Sequence, residues 1–219
     1  MSYKPTADIM KILVFSDIHD DEIMLEKLKS YYKKNKFDYV FICGDITNHS
    51  VSFAEDVIVA FPNCFLVPGN NEPQAVMDFL KTKDNYIHEK RVELRDGLNV
   101  VGFGYSNITP FGTPNEYSES EIYERMSKLK IDNNTLLITH CPPYGYFDEV
   151  RGKRIGSSSI KRIVEEKQPL AILCGHVHEY EGAAKVGRTE LIKVPAANNN
   201  KLCDLTIRNK NTYVEYITV

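Results

Sequence analysis

The amino-acid sequence predicts an α/β protein in which two β-sheets pack face to face and helices cover their outer faces. The first half of the chain alternates β-rich apolar runs with amphipathic helical segments, a pattern typical of a buried parallel sheet. The middle and the C-terminal end instead carry paired strand patterns separated by turn residues. Because both patterns occur in one chain, two sheets packed together accommodate them better than one.

In the first half, each predicted strand is followed by a predicted helix. The strands are continuous apolar runs of the length that a two-sided, buried strand requires, and they cover Lys11–Phe15, Asp38–Cys43 and Cys64–Val67. The first helix has Leu25, Leu28 and Tyr32 on one face. The second helix covers Ser52–Ala60 and is stopped by Pro62. The third helix begins at Pro73, and its apolar face consists of Val76, Phe79 and Leu80.

The middle of the chain predicts a hairpin, a loop and a capped helix. Arg91–Leu94 and Leu98–Phe103 flank Asp96-Gly97, which is a strong turn signal. Residues 105–117 are rich in Gly, Pro, Asn and Thr and are expected to form a loop. Ser118 and Glu121 have the spacing of a capping box, so a helix carrying Ile122, Met126 and Leu129 should follow.

The C-terminal half predicts further strands around one helix. A strand at Thr135–Thr139 precedes a long loop over 141–156, a helix over 158–167 and a strand at Ala171–Cys174. Three short strands should complete the chain, at Thr189–Val194, Leu202–Arg208 and Thr212–Val219, with Asn209–Asn211 turning the last two into a hairpin.

Composition narrows the class of protein. A length of 219 residues predicts one compact domain over residues 1–219, and 42% hydrophobic residues suffice for a buried core. The net charge of −3 and the pI near 6.1 argue against an extended nucleic-acid surface. The five cysteines have no CxxC spacing and are expected to be small buried hydrophobes in a reducing cell. The polar segment Met1–Met10 is no secretory leader and no apolar run reaches membrane length, so a cytoplasmic protein is expected.

The most informative feature is a set of polar side chains at the ends of apolar runs. Five such runs each end within two residues of a possible metal ligand, and two more nitrogen donors follow two positions after a ligand. Residues two apart on an extended segment project to the same side, so each such pair can aim at one cavity. The seven candidate ligands are Asp17, His19, Asp45, Asn70, His140, His176 and His178.

The types of donor indicate what this set can bind. Without thiolates, a closed structural zinc site is not expected, and seven donors are too many for one ion. If Asp45 is shared, each of two divalent ions has four protein ligands. Two ions carry more positive charge than Asp17 and Asp45 neutralise, which favours a phosphate ester as substrate.

These motifs resemble those of a known family. Asp17-Ile-His19, Gly44-Asp45, Gly69-Asn70, His140 and Gly175-His176-Val-His178 match, in order, the motifs of the calcineurin-like metallophosphoesterases, most closely the compact archaeal and bacterial branch. The resemblance implies a four-layer αββα sandwich with a dinuclear site at the strand ends. It further implies that Asp17, His19, Asp45 and His178 hold one ion and that Asp45, Asn70, His140 and His176 hold the other.

One position departs from the family pattern. Many members have His directly after the ligand Asn, where this chain has Asn71. An amide can donate a hydrogen bond but cannot deliver a proton, so efficient monoester hydrolysis is not expected. Family members without that His tend to act on phosphodiesters, so the resemblance implies a phosphodiesterase. The mechanism implied is in-line attack on phosphorus by a hydroxide bridging both ions, with Asn71 and His49 assigned to hold the non-bridging oxygens. For His49, and more so for His88, a surface-loop position without function is the alternative.

The resemblance also sets the expected cofactors and partners. Mn²⁺ is the favoured metal, with Fe, Zn and Ni as alternatives, and the substrate is expected to be a small-molecule phosphoester. Neither a nucleic acid nor a membrane is an expected partner, and the chain should be a monomer or a homodimer. Two other functions stay open: a nuclease of the same fold, and a non-catalytic protein-interaction scaffold in which the metal site has decayed.

Overall fold

The computed structural model describes residues 9–219, which form two large β-sheets, two small two-stranded sheets and five α-helices. The segment Met1–Met10 was predicted not to be a secretory leader. It lies outside the described residues except for Ile9 and Met10. The helices are α1 (Glu22–Lys34), α2 (Val51–Ala60), α3 (Gln74–Lys81), α4 (Glu119–Ser127) and α5 (Ser158–Lys167). The strands are β1 (Ile9–Phe15), β2 (Tyr39–Ile42), β3 (Cys64–Leu66), β4 (Arg91–Glu93), β5 (Asn99–Phe103), β6 (Ser106–Asn107), β7 (Glu116–Tyr117), β8 (Thr135–Thr139), β9 (Glu149–Val150), β10 (Lys153–Arg154), β11 (Ala171–Cys174), β12 (Gly182–Val186), β13 (Thr189–Lys193), β14 (Lys201–Arg208) and β15 (Asn211–Thr218).

Both large sheets are mixed. The first has the strand order β15-β14-β1-β2-β3, in which β1, β2 and β3 are parallel and β14 runs antiparallel to β1. The second has the order β12-β13-β11-β8-β5-β4, with a parallel centre from β13 to β5 and antiparallel strands at both edges. The C-terminal hairpin thus joins the first sheet, whereas β13 joins the second.

Three apolar layers hold four layers of secondary structure together. Helices α1, α2 and α3 pack on one face of the first sheet, through side chains such as Leu28, Val57 and Leu80. The two sheets pack on each other through a second layer that includes Val14 and Leu173. Helices α4 and α5 cover the outer face of the second sheet through a third layer. The predicted four-layer αββα sandwich is therefore confirmed.

The predicted elements agree with the structure except in two loops and one strand. The 105–117 and 141–156 segments, expected to be loops, each contain a pair of two-residue strands, which are too short to leave a periodic pattern. The strand β12 was not predicted, because its sequence begins with glycine and has two alanines in place of β-branched residues. Pro73, predicted as the first helical residue, is instead the N-cap of α3, which begins one position later at Gln74.

All five cysteines are free and buried, as predicted for small hydrophobic side chains. Among residues 9–219, no helix combines the length and the hydrophobicity that crossing a bilayer demands.

His88 is not on a surface loop, and that expectation was wrong. Its side chain is only 9% exposed and stacks on Tyr105 with ring centroids 4.9 Å apart. Phe103 and Tyr117 lie on the same cluster, and His88 Nδ1 accepts a hydrogen bond from the Gly104 amide at 2.9 Å. Burial lowers the pKa of His88 to about 4. The aromatic surroundings therefore hold the imidazole in its neutral form.

This lowered pKa predicts a specific loss of stability in acid. A histidine whose pKa is lower when folded than when unfolded stabilises the protein fully above its unfolded pKa, near 6.5, and loses that contribution as the pH falls toward about 4. We expect His88→Phe to have a flatter pH dependence of the unfolding free energy between pH 7 and 4.5 than wild type. Denaturant unfolding in EDTA at several pH values measures this, and parallel curves for both proteins would contradict it.

Candidate metal centre

The seven candidate ligands lie at one edge of the sandwich, in the loops that follow five parallel strands. Asp17 and His19 follow β1, Asp45 follows β2, and Asn70 follows β3 in the first sheet. In the second sheet, His140 follows β8, and His176 and His178 follow β11. Because the carboxyl ends of parallel strands meet at one edge, chain segments up to 161 residues apart converge there.

The backbone at this edge is unusually strained. Asp17, His19, Asp45 and His176 all have left-handed φ angles, between 49° and 74°. Side chains other than glycine seldom adopt this region, although Asp and His do so more readily than most. Such conformations persist where the surrounding structure enforces them, and they cluster at functional sites. The strain is therefore consistent with loops shaped to direct these four side chains.

Two glycines allow the ligand loops to approach each other. A Cβ atom at Gly69 would overlap the Asp45 carboxylate, and a Cβ atom at Gly175 would overlap the Ser16 hydroxyl. The loops could not close to their observed separation with any other residue at these positions.

One group of donors surrounds Asp17. His19 Nε2 lies 3.2 Å from His178 Nε2, and His178 Nε2 lies 3.3 Å from Asp17 Oδ1. The same His19 nitrogen is 3.9 Å from Asp17 Oδ1 and 3.7 Å from Asp45 Oδ2. Four donor atoms from three loops thus face a common point.

A second group surrounds His140. His140 Nε2 lies 2.7 Å from Asn70 Oδ1, 3.2 Å from His176 Nδ1 and 3.5 Å from Asp45 Oδ2. Asp45 Oδ2 therefore belongs to both groups. His140 Nδ1 faces the Cys43 carbonyl at 2.8 Å, which fixes the ring and directs Nε2 into the group.

The donor set fits divalent cations. Asp17, His19 and His178 form one group that could hold an ion, and Asp17, Asp45 and His140 form another. Imidazole nitrogens with carboxylate and amide oxygens suit Mn, Fe, Zn and Ni ions. Two imidazole nitrogens at 3.2 Å can share one proton, but a cation between them satisfies both lone pairs. Two such pairs line the site, His19 with His178 and His140 with His176.

The protonation states of two ligands favour a cation. Burial raises the pKa of Asp17, but its hydrogen bond with His178 and nearby positive charges outweigh burial and leave that pKa well below its ordinary value. Burial lowers the pKa of His176 to about 3. Asp17 is thus anionic and His176 neutral at neutral pH, as metal ligands must be. The hydrogen bond to Asp17 raises the pKa of His178, so protons compete with a cation there.

Glu72 is a residue of this site that sequence reasoning missed. Its carboxylate is fully buried and accepts hydrogen bonds from the Ile46 amide at 2.8 Å and the Gly69 amide at 2.9 Å. These amides adjoin Asp45 and Asn70, so Glu72 ties together the loops of two candidate ligands. Burial, together with the charge of Asp45, raises the pKa of Glu72 well above its ordinary value. The signal available in the sequence was an acidic residue two positions after a candidate ligand.

The two predicted catalytic residues lie in different environments. The Asn71 side chain donates to Asp45 Oδ2 at 2.6 Å and lines the cleft above the ligands. The His49 side chain is 78% exposed, its Nδ1 lies 3.4 Å from Asp20 Oδ2, and it does not line this cleft. The structure therefore brings Asn71 into the site and leaves His49 at its margin, in agreement with the surface-loop alternative.

Comparison with known proteins assigns the chain to a family. Residues 10–180 match the model of the calcineurin-like phosphoesterase family, so the chain belongs to this family. An uncharacterised protein of Methanocaldococcus jannaschii is 32% identical over 196 residues, which cover 84% of this chain and 87% of that protein.

Solved structures share the fold at low sequence identity. The TT1561 protein of Thermus thermophilus has a TM-score of 0.71 at 15% identity, covering 95% of this chain and 99% of that one. A structure described as a novel archaeal phosphodiesterase has a TM-score of 0.58 at 15% identity, covering 96% of this chain and all of that one. At this identity the similarity establishes the fold alone.

Proposed function

We propose that this chain is a metal-dependent phosphodiesterase with a dinuclear centre. The observation that supports this most directly is the position of Asp45 Oδ2, which lies 3.7 Å from His19 Nε2 and 3.5 Å from His140 Nε2. One carboxylate oxygen next to both donor groups is what a pair of adjacent ions requires. Asp17, His19, Asp45 and His178 would hold one ion, and Asp45, Asn70, His140 and His176 the other.

The chain's own residues supply ligands, orientation and one hydrogen-bond donor. When bound, two divalent ions would supply Lewis acidity and a water whose pKa is low enough for hydroxide to form near neutral pH. Asp17 and Asp45 limit the positive charge, so an anionic ester is attracted without the centre becoming neutral. Asn71 faces the same cleft, and its amide would donate to a non-bridging phosphoryl oxygen.

The preference for diesters follows from what Asn71 cannot do. A monoester with a basic leaving group needs a proton donor, and an amide provides none. The imidazole that the sequence assigned to the phosphoryl oxygens, that of His49, lies outside the cleft-lining residues. Diesters with acidic leaving groups need less protonation and are the substrates that this site suits.

We expect the protein with added Mn²⁺ to hydrolyse bis-p-nitrophenyl phosphate with a higher kcat/KM than p-nitrophenyl phosphate, and EDTA to abolish both activities. In Asn71→His the monoester-to-diester ratio of kcat/KM should rise by about tenfold or more, because an imidazole can donate a proton to the leaving oxygen. Asn71→Ala, which removes the amide without adding an acid, is the matched control. A wild-type preference for the monoester would overturn the diester assignment.

The two alternative functions make different predictions. A nuclease would cleave DNA at least as well as small diesters, whereas a net charge of −3 disfavours contact with a polyanion. A non-catalytic scaffold would bind no Mn²⁺, Ni²⁺ or Zn²⁺, so metal analysis after dialysis against each ion separates it from an enzyme.

A further inference from the structure

The cleft above the candidate metal centre has an apolar wall that the proposed chemistry does not use. The cleft has a volume of about 300 Å³, and one part of its lining consists of five candidate ligands together with Asn71 and Glu179. These five ligands are His19, Asp45, Asn70, His176 and His178. The other part includes Phe111, Thr113, Val150 and Ile155, none of which carries a titratable group. This apolar wall, defined as these four residues, is continuous with the metal centre because both line the same cleft.

Phe111 is the most conspicuous residue of the apolar wall. Its side chain is 60% exposed, although burial of a large aromatic side chain would stabilise the folded protein. It belongs to none of the three apolar layers of the sandwich. An aromatic ring exposed beside a catalytic cleft is available to contact a bound molecule.

The loop that carries Phe111 is tied to the loop of a candidate ligand. The Asn115 backbone amide donates to the Asn70 carbonyl at 3.1 Å, and the Asn115 side chain donates to the Glu72 carbonyl at 2.7 Å. Within the loop, the Glu116 carboxylate accepts hydrogen bonds from the Thr109 and Thr113 hydroxyls, both at 2.7 Å. Phe111 is therefore held at a defined place relative to the metal centre.

The segment that carries Val150 and Ile155 is also anchored. Val150 lies on the short hairpin of β9 and β10, and the Ile155 amide donates to the Asp148 carbonyl at 2.8 Å. The buried Asp148 carboxylate pairs with Arg154 at 2.7 Å and accepts a hydrogen bond from the Gly145 amide at 2.8 Å. Two loops from different parts of the chain thus present apolar side chains to one slot.

We propose that the apolar wall binds a flat, apolar arm of the phosphoester substrate, with Phe111 stacking on it. This inference rests on the proposed function, because the phosphoryl group has to lie at the metal centre for an arm to reach Phe111. Aryl groups and nucleobases share the required chemistry, since both present a flat π-face that an aromatic side chain can stack on. Short alkyl arms have no such face and are the disfavoured class.

The neighbouring aromatic residues Phe147 and Tyr144 are placed differently. Phe147 packs against Tyr180, with ring centroids 6.2 Å apart, and Tyr144 lies under the Arg154 guanidinium at 6.0 Å. Neither lines the cleft with the candidate ligands. Phe111 is the aromatic residue that does, so it is the position to test.

The test is equilibrium binding of hydrolysis-resistant phosphonates to the Mn²⁺-loaded protein, measured by calorimetry. We expect phenylphosphonate to bind about tenfold more tightly than methylphosphonate, because stacking of one ring contributes on the order of 1–3 kcal/mol. In Phe111→Ala this preference should fall to about threefold or less, and in Phe111→Tyr it should remain. The 5′-methylenephosphonate analogues of adenosine 5′-phosphate and ribose 5-phosphate form the second pair. The pair that responds more strongly to Phe111→Ala identifies the arm as aryl or nucleobase.

Ile108→Ala is the matched control, because Ile108 is 66% exposed on the same segment but does not line the cleft. It should leave both preferences unchanged. Equal binding of phenylphosphonate and methylphosphonate to the wild type would overturn the inference, and so would an unchanged preference in Phe111→Ala. If Phe111→Ala altered only the oligomeric state, the side chain would belong to a contact between protein molecules. Turnover of diesters tests the proposed function separately, so active protein without a ring preference would refute this inference alone.

Discussion

Replacing Asp45 by Ala is expected to remove bound metal and phosphoesterase activity together. Asp45 Oδ2 is the donor atom that both candidate groups share, so its loss weakens both at once. Because bound ions contribute several kcal/mol to stabilising the transition state, kcat/KM toward a diester should fall by about 10³-fold or more. Metal analysis of the purified variant and steady-state kinetics at saturating Mn²⁺ measure the two effects.

Two further variants make this experiment specific. Asp45→Asn keeps the shape of the side chain but loses its charge, so it should lose metal affinity without a large loss of stability. Asp56→Asn removes a carboxylate from the exposed face of α2 and should change neither property. If Asp45→Ala retained two ions per chain, Asp45 would not be the shared ligand.

Replacing Glu72 by Ala is expected to destabilise the protein and weaken metal binding. The substitution leaves the buried Ile46 and Gly69 amides without their hydrogen-bond acceptor, at a cost of about 1–3 kcal/mol each. It also releases the loops that carry Asp45 and Asn70. Denaturant unfolding in EDTA measures the first effect, and Mn²⁺ titration measures the second.

Glu72→Gln distinguishes a hydrogen-bonding role from a need for charge. Its amide oxygen can accept only one of the two hydrogen bonds, so roughly half of the Ala effect should remain. Glu55→Ala, on the exposed face of α2, is the control for loss of a carboxylate. Wild-type stability in Glu72→Ala would show that water replaces the carboxylate and that Glu72 does not organise the loops.

The fold was predictable because its signals are local. The strand β8 and the helix α5 agree with their predicted bounds, since each has continuous apolar periodicity between clear stop signals. The capping box of Ser118 and Glu121 is present as predicted, because it depends only on residues three apart. The strand β12 escaped prediction because its pairing with β13 outweighs weak local propensity.

The candidate ligands could be identified from sequence because each follows a predicted strand, and the structure places all seven at one edge. Other parts of the site depend on contacts between distant segments. Glu72 accepts a hydrogen bond from the Ile46 amide, 26 positions away in sequence. Phe111 lies at the cleft because its loop, which has no periodic sequence pattern, is anchored there. The sequence around His88 has no local signal for burial, because the four aromatic side chains that contact it come partly from distant segments.

The sequence by itself determined the α/β class, the order of most elements and the family to which the chain belongs. These properties follow from periodicity and from motifs in which neighbouring residues act together. Only the tertiary structure decided how close Asp45 lies to both donor groups, which buried acid supports them and which apolar side chains face the cleft. Such relations are distances between segments far apart in the chain, and they are set by how two sheets and their loops pack.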